Sequence, residues 1–383
     1  LALFAAILAH GLNLPLTTMA ESTEIPYHEM TNASDWYIRE ENVRRGITRV
    51  VDYHHGLDLA SAFGPGTTAM SDGIRFEVAA RSLHAQYHSR HFGPRRGVTL
   101  HDMISDQYSH PYIQIIPPHM REAHAALDAM LHHETELPIH EMMVDTAGFT
   151  ELMYALYDLQ GLKLSPRIRD LADHCLYPLE GITDYGVLKP LFRGPTIRRD
   201  LIVKCWDDMH RISASLKDGT VTAVLLTNKL QALDNKNLIH RGLEEYGRIL
   251  YTMDILTFIS DQPHRRRVGR MLNKGEAVHS LVRDVSYGQR GVLTDLDLAS
   301  QLNRATCLSL LLNIIAAWNT RYMQAALDHL RTTGYPVQES DLEHLSPITS
   351  AHINLHGSHH LDLQAPKKRK GQLRPLRTTP PLF

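Results

Sequence analysis

Apolar residues recur at three- and four-residue spacing from the first residue onward. "LALFAAILAHGLNLPL" and "DWYIREENVRRGITRVVDYHHGLDLA" both carry the pattern, which predicts helices through residues 1–62. The texture then changes. "FGPGTTAMSDGIRFEVAARSLHAQYHSR" and "GVTLHDMISDQYSHPYIQIIPPH" hold short, partly alternating runs punctuated by Gly and Pro, which predicts three antiparallel strands. "HMREAHAALDAMLHHE" is amphipathic, with Ala123, Ala126, Leu127, Met130 and Leu131 on one side. "PIHEMMVDTAG" reads as a buried strand closing at Asp145, "FTELMYALYDLQG" as a helix ending at Gly161, and "LKLSPRIRDL" as a further strand. The predicted order is βββαβαβ, an α/β chain with a mixed five-stranded sheet.

From 176 to 268 the pattern turns helical, a further helix is predicted over 268–287, and "LASQLNRATCLSLLLNIIAAWNTRYMQAALDHLRTTG" predicts a long, largely buried helix stopping at Gly334. No period of 20 to 50 residues repeats, which excludes a solenoid. The expected division is a helical lead over 1–62, a first part of the core over 63–175, a helical insertion over 176–268, helices completing the core over 269–335, and a segment over 336–383. That last segment ends in the basic run "APKKRKGQLRPLRTTPP", whose composition predicts a disordered tail.

Composition changes this picture little. Hydrophobic residues make up 43% and charged residues 21% of the 383, which is ordinary for a globular chain, so disorder does not describe the bulk of it. The formal net charge of -2 hides basic clusters at 193–204, 264–274 and 367–377. Cys175, Cys205 and Cys307 have no paired spacing, which argues against a disulfide framework or a cysteine zinc site and points to a reducing compartment. The apolar start "LALFAAILA" is too short for a membrane span and lacks a basic flank, so it is expected to be part of a helix from a longer parent. The 25 histidines fit neither HExxH nor a finger spacing, and "FGPGTTAMSDG" fits no phosphate-binding glycine motif.

The candidate chemistry lies in carboxylates. Asp72 sits in the first predicted strand and Asp145 closes the fourth. In a ribonuclease H arrangement those strands are neighbours, so the two acids would meet at one end of the sheet, with a third carboxylate arriving on a later helix. Phosphodiester cleavage by paired divalent ions needs such a cluster, because close carboxylates repel unless cations hold them together. Glu276 shares a helix face with Asn273, Ser280, Arg283 and Tyr287, opposite Met271, Val278, Val282 and Val285, and could face either a ligand or water. Asp102, Asp106, Asp170, Asp254 and Glu245 are also available, so periodicity does not select the trio.

The blocks "LAHGLNLPLTTMAE", "TTAMSDGIRF", "HDMISDQY", "VDTAGFTE", "PRIRDLAD", "GTVTAVLLTNKL", "LNKGEAVHSLVRDV", "WNTRYMQAALDHLR" and "LSPITSAHINLHG" resemble, in order and through Gly357, the C-terminal catalytic half of the Tn-three family transposases. The resemblance implies a ribonuclease H-like (retroviral integrase superfamily) core interrupted by an all-helical insertion. It also implies a DDE triad at Asp72, Asp145 and Glu276, separated here by 73 residues (145 − 72) and 131 residues (276 − 145). Those three would be both catalytic residues and ligands of Mg²⁺, with Mn²⁺ as a substitute.

The implied activity is hydrolysis at each 3′ end of an element, then attack of the freed 3′-hydroxyls on target DNA to give a cointegrate. The implied partners are the transposon ends and target DNA, a second copy of the chain on paired ends, and a separate resolvase acting later. The implied location is the bacterial cytoplasm. Arg265, Arg266, Arg267, Arg270, Lys274 and Arg283 on and before the Glu276 helix, together with Arg167, Arg169, Arg198 and Arg199, are the candidate DNA-phosphate contacts. Tail residues Lys367, Lys368, Arg369, Lys370, Arg374 and Arg377 would add non-specific affinity. The family's end-recognition half has no counterpart in this sequence. Two alternatives stay open: a non-catalytic DNA-binding or assembly fragment, and a ribonuclease H-like nuclease.

Overall fold

Gly64, Pro65 and Gly66 break the helical lead, and the sheet begins directly after them. The computed structural model describes residues 1–79, 82, 84–120, 122–145, 149–182, 184–232, 237–370 and 372–376. Its strands are β1 Thr68–Glu77, β2 Gln86–Tyr87, β3 Arg96–Ser105, β4 Tyr112–Ile116, β5 Glu141–Val144 and β6 Lys163–Pro166. They lie in the order β2-β3-β1-β5-β6, with β4 also paired to β3. β1 is antiparallel to β3 and parallel to β5, and β5 is parallel to β6. The sheet therefore has six strands where five were expected. The extra one, β2, is two residues long and shares the outer edge of β3 with β4, which is too short to show any alternation in sequence.

Five helices lead in: α1 Ala2–Gly11, α2 Leu16–Thr23, α3 Tyr27–Tyr37, α4 Glu40–His55 and α5 Asp58–Phe63. α6 Glu122–His132 joins β4 to β5, and α7 Glu151–Leu159 joins β5 to β6. Then come α8 Arg199–Lys217, α9 Ala223–Ala232, α10 Leu238–Ser260, α11 Gln262–Val285 and α12 Leu298–Thr332. The expectation of helix from residue 176 is corrected. Up to Ile197 the described residues are mostly irregular, with a short 3-10 helix, Gly186–Leu191, and a bridge from Leu179 to Ile197. Pro178, Pro190 and Pro195 remove backbone donors there and work against a continuous helix.

α11 starts earlier than its apolar periodicity predicts, at 262 instead of 268. Asp261 caps it by accepting the His264 N–H at 3.0 Å, and Pro263 in the first turn has no amide to leave unsatisfied. The expected boundary between 268 and 269 thus falls inside one helix. α12 ends as predicted, with Gly334 at φ +80°.

Strand alternation divides the core between two faces of the sheet. Ala69, Met142 and Val144 join an apolar cluster with α6, α7 and α10, while Met70, Ile74 and Met143 join one with α11 and α12. Several histidines serve as buried cross-links. His54 of α4, for example, reaches Ser109 at 2.9 Å and Thr320 of α12 at 2.8 Å.

The basic run over 365–381 is described up to residue 376, apart from residue 371. Gln364–Lys368 is a short helix, the His359 N–H donates to Ser22 O, and the Arg374 guanidinium lies 5.8 Å from the Trp318 ring. Arg377 lies outside the described residues. Cys175, Cys205 and Cys307 are free thiols. Among the described residues no helix is long and apolar enough to cross a membrane.

Candidate active site

Parallel pairing of β1 with β5 sets Ser71 level with Val144, so the next residues, Asp72 midway along β1 and Asp145 just past the end of β5, lie side by side on adjacent strands. By alternation both share the face of Met70 and Met143, the face that α11 covers. α11 comes close because residue 275 has no side chain: a Cβ there would stand 2.3 Å from Met70 Cε. The next residue, Glu276, is thereby set beside the two aspartates. Asp72, Asp145 and Glu276 line one small cavity of about 50 Å³, together with Arg167 and Asn273. A larger cavity of about 460 Å³ adjoins it, sharing Asp72 and Asp145 and adding Arg75, His88, His119 and Glu122.

The site is electrostatically crowded. Burial raises the Asp72 carboxyl above its ordinary pKa; the charges of Asp102 and Glu276 push the same way, while His279 and the Gly73 N–H oppose them. Burial, and then the charge of Asp72, push Glu122 up to about 7, although Arg75 lies 3.6 Å away. Asp102 is fully enclosed, and burial alone would raise it, but His279 and His110 hold it well below the usual carboxylate range. Carboxylates whose charges penalise one another are the electrostatic setting in which a hard cation is stabilising.

Asp145 is held differently. Arg167 Nε and Nη2 donate to its Oδ1 at 3.1 and 2.8 Å, and Arg169 Nη2 donates to Oδ2 at 2.9 Å. With Asp145 engaged this way, no three His, Cys, Asp or Glu among the described residues converge tightly enough to hold a metal ion as placed. The donor set nonetheless fits a hard cation in kind and number, with three carboxylates lining one cavity; Asp145 would have to exchange arginine contacts for it.

The other basic candidates fall into two groups. Arg265 donates to the carbonyls of Phe258 and Ile259, Arg267 pairs with buried Glu141, and Lys274 donates to the carbonyls of Phe63 and Asp106. These three have internal duties. Arg266 and Arg283 are exposed on α11, Arg270 is exposed with only a 3.9 Å contact to Glu343, and Arg198 and Arg199 are exposed at the start of α8.

Of the rival carboxylates, Asp106, Asp254 and Glu245 are engaged elsewhere, whereas Asp102 lies beside Asp72. Asp106 accepts from the Gly66 N–H, Asp254 from Tyr154, and Glu245 from Arg248 and the Arg198 N–H; Asp170 is exposed. His279 and Asp102, both against Asp72, are the neighbours that periodicity does not reveal.

Comparison with known proteins shows which family the chain resembles. Residues 1–359 match the family described as the Tn3 transposase DDE domain. The transposase for transposon Tn1546 of Enterococcus faecium is 38% identical over 361 residues, covering 94% of this chain and 36% of that protein. The transposase for Tn501 of Pseudomonas aeruginosa is 37% identical over 98% of this chain and 38% of its own length. For the transposase for Tn21 of Escherichia coli the values are 36%, 99% and 38%. The chain spans little more than a third of the length of these relatives.

Proposed function

Because the chain belongs to the Tn3 transposase DDE domain family, we propose that it is the catalytic region of a DNA transposase, with Asp72, Asp145 and Glu276 as ligands of Mg²⁺ or Mn²⁺. The observation that carries this reading is the cavity they share, although they come from β1, the end of β5 and α11. The strand order, with β1 between β3 and β5, supports a ribonuclease H-like core. In that reading residues 63–175 and α11 with α12 form the core, and a helical insertion separates them, closing at Asp261 where α11 begins. Residues 1–62 are the helical lead and 336–383 the C-terminal segment.

Divalent cations held by Asp72, Asp145 and Glu276 would supply Lewis-acid stabilisation of the attacking and leaving oxygens in phosphodiester displacement. The chain's own residues set the stage for it. The Gly73 N–H holds one Asp72 oxygen at 2.8 Å, and Gly275 lets Glu276 approach. The Arg169 side chain, 57% exposed, would be available to phosphate once Asp145 exchanges its arginine contacts for a cation. Arg198, Arg199, Arg266, Arg270 and Arg283 extend the basic surface, whereas Arg265, Arg267 and Lys274 act by holding α11 in place.

The reaction has two displacements. In the first, a water oxygen bonds to phosphorus at each 3′ end of the element, the bond from phosphorus to the element's 3′-oxygen breaks, and the proton leaves to solvent. In the second, the freed 3′-hydroxyl oxygen bonds to a target phosphorus and displaces the target's 3′-oxygen, which takes up the proton; the branched product becomes a cointegrate, the substrate of a separate resolvase, only after DNA synthesis from the freed target 3′-hydroxyls copies the element. Two copies of the chain on paired ends would make the two joints together.

The test uses full-length protein containing this chain and DNA carrying the element's ends. In Mg²⁺ or Mn²⁺ it is expected to nick the 3′ ends and join pre-cut ends to a target, and a chelator should stop both. A protein that binds the ends but neither cuts nor joins in either cation would overturn the reading in favour of an assembly fragment.

A further inference from the structure

We propose that Asp102 and His279 form a positioning pair that fixes the Asp72 carboxylate for cation binding, an inference that rests on Asp72 being a metal ligand. Asp72 on β1 stands directly opposite Asp102 on β3. Like charges facing each other across two strands are destabilising, so this register needs a compensating group. His279, one turn beyond Glu276 on α11, supplies it. Its Nε2 lies 3.2 Å from Asp102 Oδ1 and its Nδ1 lies 3.6 Å from Asp72 Oδ2. The His279 and Asp102 side chains are 3% and 1% exposed, while Asp72 is 34% exposed. The pair thus connects an enclosed anchor to a carboxylate that opens into the candidate cation cavity.

The anchor is itself held. Asp102 Oδ2 lies 2.8 Å from His110 Nε2, and His110 Nδ1 lies 2.9 Å from Ser309 Oγ on α12. The His110 backbone is clasped by Asn313, whose Oδ1 accepts the His110 N–H at 2.8 Å and whose Nδ2 donates to the His110 carbonyl at 2.9 Å. A buried carboxylate is tolerated only when paired and hydrogen-bonded, and His110 together with His279 meets that need. If the network served only to staple α11 and α12 to the sheet, contact between His279 and Asp102 would suffice. The Nδ1 edge turned to Asp72 adds a second restraint on a carboxylate whose other oxygen already accepts the Gly73 N–H. With one oxygen hydrogen-bonded to the Gly73 N–H and the other facing the His279 ring at 3.6 Å, Asp72 loses less freedom when it binds a cation, the usual effect of outer partners on metal ligands.

The test is Mn²⁺ binding to the 383-residue chain by calorimetry, with thermal unfolding recorded on the same samples. His279→Gln keeps a donor in the place of Nε2 for Asp102 but presents none to Asp72. Asp102→Asn leaves the ring in place and removes its charged anchor. Each folded variant is expected to bind Mn²⁺ about 10–100-fold more weakly. Asp72→Asn serves as the control. If it binds Mn²⁺ like the wild type, the metal-site reading itself fails. If Asp72→Asn loses binding while folded His279→Gln or Asp102→Asn keeps wild-type affinity, the positioning role is overturned. If neither variant folds, the pair is a structural staple and the inference falls.

Discussion

Asp72→Asn is expected to abolish 3′-end cleavage and strand transfer, with a loss on the order of 10³-fold or more, and to leave DNA binding intact. The size follows from the chemistry: a bound cation contributes several kcal/mol of transition-state stabilisation, and each 1.36 kcal/mol is tenfold in rate. The substitution is nearly isosteric, and the amide oxygen can still accept the Gly73 N–H. It removes a charge that burial, Asp102 and Glu276 all penalise. The unfolding midpoint of the Asn variant should therefore match or exceed that of the wild type, so lost activity cannot be assigned to unfolding. Nicking and joining on gels, end binding and thermal unfolding together check this. An Asn variant that cuts and joins normally would show that the triad is misassigned.

The largest stability effect is expected at a helix crossing away from the carboxylates. A Cβ at residue 247 on α10 would stand 1.7 Å from the Glu151 carbonyl oxygen and 2.4 Å from its carbonyl carbon. The obstacle is backbone in the first turn of α7, so no rotamer change relieves it, and the two helices must separate. Overpacking of this kind costs roughly 1–3 kcal/mol and occasionally more, and a rigid backbone contact belongs at the upper end. Gly247→Ala should lower the urea midpoint accordingly. Gly269→Ala on α11 is the control: beyond its own helix backbone and chain neighbours, no atom of the described residues lies within 4 Å of its Cβ position, and alanine is favoured over glycine in a helix interior by about 1 kcal/mol. An unchanged midpoint for Gly247→Ala would contradict the packing of α10 on α7.

The features that depend on local periodicity were legible in the sequence. Met271, Val278, Val282 and Val285 are buried on α11 while Asn273, Glu276, Ser280 and Arg283 are exposed, as the helical wheel predicts. The order βββαβαβ, which lacks only the two-residue β2 among the strands, followed from alternation and punctuation, and the adjacency of the strands bearing Asp72 and Asp145 came from reading that order as a ribonuclease H arrangement. Features that depend on contacts between distant elements were not legible. His279 and Asp102 are 177 residues apart, and nothing in either segment shows that α11 lies over the β1–β3 pair. The basic residues before Glu276 read as one patch, but Arg267 is drawn to Glu141, 126 residues away, and Lys274 to the carbonyls of Phe63 and Asp106. The irregular stretch before α8 did carry a local sign in Pro178, Pro190 and Pro195, which the apolar spacing around them obscured.

The active-site reading stands or falls on Asp72, Asp145 and Glu276 holding divalent cations together. Anomalous diffraction from Mn²⁺-soaked crystals of the chain tests it most directly. The expected result is a peak within bonding distance of carboxylates from all three residues, with Asp145 turned from Arg167 and Arg169 toward it. A peak held by other residues, or none at the triad under conditions where the protein joins DNA, would contradict the account.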